Sequence, residues 1–314
     1  VILPFLGAAG LTWLLLAALV PRLRKRLLDH PNARSSHQRP TPRGGGIAFV
    51  VVGSVLTALL GEGRAALVPL LCCPLALVGL LDDRFDLPAG VRYGAQLLTA
   101  AALLALASTP LPGWGLPLVW IAITAVINFV NFMDGLDGLV AGCGVVLLGL
   151  VASLPGGAGL WPLAGSLLGF LAWNWSPARV FMGDVGSTWL GAVFAGLVLQ
   201  QPDPGAAAAL LLVALPLLAD PLVCVLRRLA DRQAVFQAHR LHLFQRLHQA
   251  GWSHPQVAGL LIAACTALAL AWRVGSMPLL LILAAAELAL GVWLDRRVAL
   301  SFSEASHASR HTNP

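Results

Sequence analysis

Long stretches of this chain carry almost no charge. Apolar segments run at about 1–21, 44–61, 65–81, 95–112, 115–133, 139–155, 158–173, 186–200, 206–226, 255–272 and 277–294. Most approach the roughly 20 residues that a helix needs to cross the hydrocarbon core of a bilayer. Backbone groups find no water there, so such segments are read as helices. Composition agrees: 58% of residues are hydrophobic and 11% charged, against roughly 25% charged in a soluble domain. That excludes a soluble globular chain, and the apolar content excludes disorder. The expected fold class is all-α, a polytopic integral membrane protein of about 11 transmembrane helices. A single domain spans 1–314, with a loose polar tail at 298–314. No A-x-A-like cleavage site precedes the basic cluster Arg22–Arg26, so the first run is expected as a retained membrane helix.

Charge is sorted along the chain. Of the 20 Lys and Arg residues, all but Arg64 and Arg273 fall in the links after odd-numbered spans or in the tail. The positive-inside rule puts those links in the cytosol, the N-terminus outside and the C-terminus inside. The net charge of +6 is read as orientation charge and phosphate ligands, with no nucleic acid partner expected. All eight histidines share the basic side, as do Asp82, Asp83, Asp86, Asp134, Asp137 and Asp184. The opposite links are short, rich in Gly and Pro, and nearly free of reactive groups. A reactive surface is therefore expected at the cytosolic membrane boundary. The five cysteines show no metal spacing and are expected to be buried, reduced and structural.

Five segments carry candidate chemistry. Asp82-Asp83-Arg84-Phe85-Asp86 brings three carboxylates within five residues; they repel unless a cation compensates, or they form a solvated loop. In 128–138, Asn128, Asn131, Asp134 and Asp137 recur every third residue, a spacing that faces them together on a helix. Polar groups at a membrane helix end want a partner such as a divalent cation or a nucleotide, or simply water. Gly135 and Gly138 allow a ligand to approach the backbone. In 181–187, Asp184 between Gly183 and Gly186 suits a hard cation such as Mg²⁺, or acts as a helix N-terminal acid. In 239–254, His239, His242 and Arg246 form one basic face if helical. That face suits a sugar-phosphate, or it belongs to a basic helix lying on anionic lipid. In 34–49, Gly44, Gly45 and Gly46 after Arg43 expose amides for an anion, loosen a basic loop, or open a close-packed span. Asp134, Asp137, Gly138 and Ala141 begin like the CDP-alcohol phosphatidyltransferase signature. Gly142 stands where Arg belongs and no further aspartates follow in register, which excludes that family.

Together the five segments, in this order and over about 30–255, resemble the polyprenyl-phosphate N-acetylhexosamine-1-phosphate transferase family, of glycosyltransferase 4 type. The resemblance implies a multi-pass protein of the bacterial inner membrane with its active site facing the cytosol. It implies transfer of sugar-1-phosphate from a UDP-N-acetylhexosamine to undecaprenyl phosphate, with release of UMP. The cofactor implied is Mg²⁺, with Mn²⁺ as a substitute. A homodimer is an allowed assembly. By motif, Asp184 resembles the main metal ligand and Asn131 its helper. Asp82 resembles the acid that takes a proton from the lipid phosphate, and Asp83 its paired acid; Asp82, Asp83 and Asp184 are the catalytic set. Asp137 and Asn174 resemble contacts to uracil, and Phe181 its stacking surface. His239, Arg240 and His242 resemble the basic loop over the sugar-phosphate. Asn128, Asp134, Gly135 and Arg43 complete the substrate-binding set, and Asp220 resembles an acid late in span nine. Direct attack of the lipid phosphate is favoured over a covalent aspartyl intermediate.

One departure bears on the donor. Many members carry a compact H-x-H-H, where this chain has His242-Leu-Phe-Gln with His239 three residues earlier. With the HQRPTPRGGG stretch, this resembles the O-antigen branch that uses UDP-N-acetylfucosamine or UDP-N-acetylquinovosamine. UDP-GlcNAc is the alternative donor, and a pentapeptide-bearing donor is least expected. A transporter is the non-enzyme alternative, although it would place charges near the bilayer midplane; Glu287 alone lies clearly inside an expected span.

Overall fold

The structure is a computed structural model that describes residues 1–31, 36, 39–233 and 239–311, the side chains of 308–311 excepted. Residues 34, 35, 37 and 38 of the expected 34–49 motif lie outside the described residues. Helix α1 (Ile2–Arg26) leads into an antiparallel ribbon of β1 (Leu28–Asp29) and β2 (Thr41–Pro42), with Leu28 opposite Pro42. Then come α2 (Gly46–Leu60), α3 (Val68–Leu71), α4 (Cys73–Phe85), α5 (Ala89–Leu106), α6 (Leu116–Met133) and α7 (Leu139–Ser153). Helices α8 (Trp161–Asn174) and α9 (Asp184–Val198) precede α10 (Pro204–Val213) and α11 (Leu215–Ala230), which meet at a bend of 81°. The chain closes with α12 (Leu243–Gln249), α13 (His254–Arg273), α14 (Met277–Arg297) and α15 (Phe302–His311).

Apart from the short ribbon, the protein is all-α and polytopic. Among the described residues, six helical stretches are long and apolar enough to cross a membrane, seven if the bent α10–α11 pair is one span. That is fewer than the eleven expected, although a helix or helix pair occupies each expected apolar segment. The difference is length: α2, α7 and α9 have 15 residues each and α8 has 14, a rise of about 21–22 Å against a hydrocarbon core of about 30 Å. Such helices need not meet lipid. Every residue of α9 from Val185 to Val198 is buried, with α2, α4 and α6 packed around it. The outward faces of α1, α5, α6 and α14 expose Leu3, Leu98, Ile121 and Ile282, an apolar surface suited to lipid.

The centre is welded by close backbone approach. A Cβ added to Gly46 of α2 would lie 2.5 Å from the Cα of Gly186 on α9. One added to Gly79 of α4 would lie 2.5 Å from the carbonyl oxygen of Asp184, and one at Gly191 of α9 would lie 2.8 Å from the Cα of Ile127 on α6. Phe49, Phe170 and Trp189 fill the space beside the seam, Phe49 packing 5.1 Å from Phe170 and 5.7 Å from Trp189 between ring centres.

The tail needs correction. Residues 298–314, expected to be loose, include α15, whose Ala305 is buried against Cys224 and Leu241. Phe302 lies under the guanidinium groups of Arg227 and Arg246, and Ser306 accepts a hydrogen bond from Gln233 at 3.1 Å. Phe302 and Ala305, three residues apart, give an otherwise polar segment one apolar side.

Candidate active site

Helix ends converge on a cavity of about 300 Å³ lined by Asp82, Arg92, Asn128, Asn131, Asp184, His239 and His242, among others. Of the sequence-expected site residues, this brings together two of the three catalytic acids, both metal candidates, Asn128 and the two histidines.

The acids are held by backbone. Asp82 and Asp83 occupy the last turn of α4, which Asp86 ends in a left-handed conformation with φ 52°. Both Asp82 oxygens are engaged: Oδ1 accepts from Leu87 N at 2.7 Å and Oδ2 from Arg92 at 3.0 Å. Asp83 turns the other way. Its carboxylate accepts from the amides of Asp184 (3.1 Å) and Val185 (3.3 Å), groups that the first turn of α9 would otherwise leave unpaired. Asp83 therefore fixes the helix that presents Asp184 and does not line the cavity. Gly183, at φ +73°, makes the turn into α9, and a Cβ there would strike the Asp83 carboxylate at 2.5 Å. Asn131 donates to Asp184 Oδ1 at 3.1 Å and to Ser187 at 2.8 Å, leaving its own Oδ1 to offer a cation. Asp82, Asp184 and Asn131 make a donor set of hard oxygens in one wall, which fits Mg²⁺ or Mn²⁺.

The expected stripe 128–137 is broken. Asn128 and Asn131 lie on α6, which ends at Met133; Asp134 caps it and Asp137 lies in the turn before α7. Gly138, at φ +75°, makes that turn. Asp134 is half-buried, and its carboxyl is pushed up to about 8 by burial and by the charges of Asp184, Asp83 and Asp137. Burial also pushes Asp137 up, but His254 at 3.2 Å and the Ala178 amide at 3.1 Å outweigh it, so its carboxyl ends below the ordinary value. Asn174 accepts from Gly138 N and donates to Val180 O, both at 3.0 Å. Asp137 and Asn174 thus meet each other's neighbourhood and tie the 134–138 turn to the 176–180 strap, outside the cavity. The backbone of Phe181 is paired too, its N–H donating to Pro42 O at 2.8 Å and its carbonyl accepting from Gly45 N at 2.9 Å.

That pairing corrects the anion-cradle reading of the glycine run. The amides of Gly45 and Gly46 donate to the carbonyls of Phe181 and Met182, both at 2.9 Å. Of the three alternatives, the close-packed span start is the one observed. Arg43 donates to the backbone carbonyl of Asp83 and lies 4.0 Å from its carboxylate.

The second wall comes from the 239–254 segment. Helix α12 begins only after His242, so His239 and His242 do not share a helix face. Nor does α12 lie on lipid: Phe244, Gln245, Arg246 and Leu247 are buried. Asp220 on α11 accepts from Leu243 N at 2.7 Å and Phe244 N at 3.0 Å, capping α12. Phe244 rests on Gly135, where a Cβ would meet its ring at 3.1 Å. Arg246 donates to Leu241 O (3.0 Å), Leu300 O (2.8 Å) and the Asp295 carboxylate, which Arg227 also grips at 2.9 and 2.7 Å. Burial disfavours charge on His242, yet Asp220 and Cys224 outweigh it and raise the imidazole to about 9. Burial and the His242 and Arg228 charges push His239 down to about 3. Arg240 is half-buried and stays outside the cavity lining.

Sequence reasoning missed Arg92, Tyr93, Gln96, Thr188 and Gln245 in the cavity wall. Arg92 and Gln96 carried a signal: a polar i, i+4 pair on an otherwise apolar helix. Gln96 exchanges amide hydrogen bonds with Asn128 at 2.7 and 3.3 Å.

The profile of glycosyl transferase family 4 matches residues 65–201. A probable undecaprenyl-phosphate N-acetylglucosaminyl 1-phosphate transferase of Bacillus subtilis is 30% identical over 78% of this chain and 76% of its own length. A decaprenyl-phosphate N-acetylglucosaminephosphotransferase of Mycobacterium leprae is 32% identical over 74% and 73%. A phospho-N-acetylmuramoyl-pentapeptide-transferase of Synechococcus is 35% identical over 81% and 83%.

Proposed function

Because this multi-pass chain belongs to glycosyl transferase family 4, we propose that it moves an N-acetylhexosamine-1-phosphate from a UDP-sugar to undecaprenyl phosphate and releases UMP. The observation that carries this reading is the 300 Å³ cavity, with Asp82, Asn131 and Asp184 on one wall and His239 and His242 on the other. Two anionic substrates must meet, and each wall offers positive charge or a place to bind it. The donor we put first is UDP-GlcNAc. The names of the Bacillus and Mycobacterium relatives favour it over the N-acetylfucosamine and N-acetylquinovosamine donors that the His242-Leu-Phe-Gln departure suggested.

Asp184 and Asn131, with Asp82 beside them, would hold Mg²⁺. When bound, the ion offsets diphosphate charge and stabilises the departing UMP. Asp83 and the Gly183 turn keep Asp184 in place. Arg92, paired with Asp82 at the cavity wall, holds a lipid phosphate, and protonated His242 faces the sugar-phosphate. The phosphate oxygen attacks the β-phosphorus of the UDP-sugar directly, and positioning and electrostatics supply most of the rate. If the acceptor arrives as a monoanion, Asp82 takes its proton by giving up the bond to Arg92. The basic links support a reading with the cavity on the cytosolic side of the bacterial inner membrane. Asp137 and Asn174 are assigned to holding the 134–138 turn, with their polar atoms already engaged there.

The test is purified protein with Mg²⁺, undecaprenyl phosphate and a panel of UDP-sugars, read as UMP. UDP-GlcNAc is expected to be used best. Faster use of UDP-N-acetylfucosamine would restore the other donor, and no UMP from any donor would end the transferase reading.

A further inference from the structure

Behind the second wall, α11 adds Cys224 and Asp220, which the transfer chemistry does not use, to the two histidines of the 239–242 segment. The Cys224 thiol and one ring nitrogen each of His239 and His242 lie within 4.8 Å of one another. Cys224 and His242 are both 3% exposed. Asp220 stands four residues before Cys224 on α11, on the same helix side, with Oδ1 3.8 Å from His242 Nδ1. That separation is too long for a hydrogen bond, and the fully buried Nδ1 makes none. An orphaned ring nitrogen facing a thiol, a second imidazole and a carboxylate lacks a central partner.

We propose that Cys224, His239 and His242, with Asp220 as fourth donor, form a site for a borderline-soft divalent cation of the Zn²⁺ class, distinct from the hard-oxygen site at Asp184. The donor chemistry separates the two: thiolate and imidazole select Zn²⁺ over Mg²⁺, whereas Asp82, Asn131 and Asp184 offer oxygen alone. Tetrahedral zinc places its ligand atoms on the order of 3.3–3.6 Å apart, so the donors close by about 1 Å, within the reach of side-chain rotation. Of the orienting contacts that metal ligands use, those of Asp220 are present: the amides of Leu243 and Phe244 fix its carboxylate. His239 Nδ1 accepts from Leu241 N at 3.2 Å, a contact the ring gives up when the imidazole turns to ligate. The anions that hold a proton on His242 would equally hold a cation, with release of the imidazole and thiol protons. Because both histidines also line the large cavity, the ion would anchor that wall to α11 and keep positive charge there. The sequence hides the site, because the ligands follow a D-x3-C spacing on one element and H-x2-H on another.

The inference does not rest on the transferase reading, and its test needs no turnover. The full chain, purified without a histidine tag, is dialysed against a weak chelator and its metal content measured, before and after added Zn²⁺. Roughly one zinc per chain is expected, retained in Asp184→Asn and lost in Cys224→Ser and in His239→Ala. Exchange with Co²⁺ should give the intense visible bands of a tetrahedral site and a thiolate-to-cobalt band that is absent in Cys224→Ser. Zn²⁺ should also raise the unfolding temperature of the wild type but not of Cys224→Ser, a difference readable even if the variant is less stable. No bound zinc after titration, zinc content unchanged in Cys224→Ser, or zinc lost in Asp184→Asn would each overturn the proposal.

Discussion

The two walls of the cavity are built by opposite means. The acid wall sits on the ends of α4, α6 and α9, and its geometry follows from backbone: Gly79 against the Asp184 carbonyl, and Asp83 on the first amides of α9. The histidine wall lies outside the spans and is held by side chains. Asp220 caps α12, and Arg246 is clasped by Asp295 and the Leu300 carbonyl. One wall has little freedom to move without unpacking the core. The other can loosen when a single charge is lost.

The largest expected effect is on the acid wall. Asp184→Asn keeps the shape and removes the ligand charge, so UMP release should fall about 10³-fold with the protein still eluting as a folded species. Unchanged activity at limiting Mg²⁺ would break the assignment. Next is Gly79→Ala, which changes no chemical group in the site. Its methyl would displace Asp184, with a loss of about 10²-fold from misplacement of roughly 1 Å and a destabilisation of about 1–3 kcal/mol. Full activity in this variant would mean that the seam is not what sets the carboxylate.

Asp82→Asn separates the proton role from the Arg92 contact. Below the second phosphate pKa, roughly 6, the acceptor carries a proton that Asn cannot take, so the defect should be largest there. Above it the acceptor is already a dianion, and part of the activity should return. A defect of the same size at every pH would leave Asp82 as the partner of Arg92 alone.

On the histidine wall, Asp295→Asn takes one charged partner from the buried Arg246 and from Arg227. Losing such bonds costs about 1.5–3 kcal/mol, felt first in the loop. Donor kcat/KM should fall roughly tenfold, with the lipid KM little changed. A defect confined to the lipid KM would shift this network's role to the acceptor. The smallest effect belongs to Arg43→Ala. Its side chain is 40% exposed and 4.0 Å from Asp83, and a pair of that kind contributes about 0–1 kcal/mol. Activity should stay within about fivefold.

What the sequence made legible follows the same division. Apolar runs placed a helix or helix pair at each expected segment, and the order of the five motifs pointed to the family. Asp82, Asn131 and Asp184 met in one cavity because each closes or opens a helix that the seam brings together. Asp83 was not legible in its role, since neighbouring aspartates in one helical turn face different directions and only the fold decides which one reaches α9. The stripe 128–137 failed for a local reason: α6 stops at Met133, so the three-residue spacing no longer puts its second half on the same face. The docked tail was missed because two apolar residues in a polar segment give little signal until Arg227 and Arg246 are seen above Phe302. Among the described residues six or seven of the eleven expected spans have the length to cross a membrane; apolarity alone does not tell a helix bathed in lipid from one enclosed by protein.

Helix α9 has a further consequence for the membrane around the protein. It is enclosed on every side, so the position of Asp184 is referred to neighbouring helices and not to the thickness of the bilayer. The outer helices α1, α5 and α14 meet lipid and can tilt as acyl chains lengthen or shorten, at a cost of fractions of a kcal/mol per Å. Turnover in vesicles of graded acyl-chain length should accordingly stay nearly flat for a water-soluble donor. A cell that remodels its lipids with temperature would keep this active site in register without altering a residue.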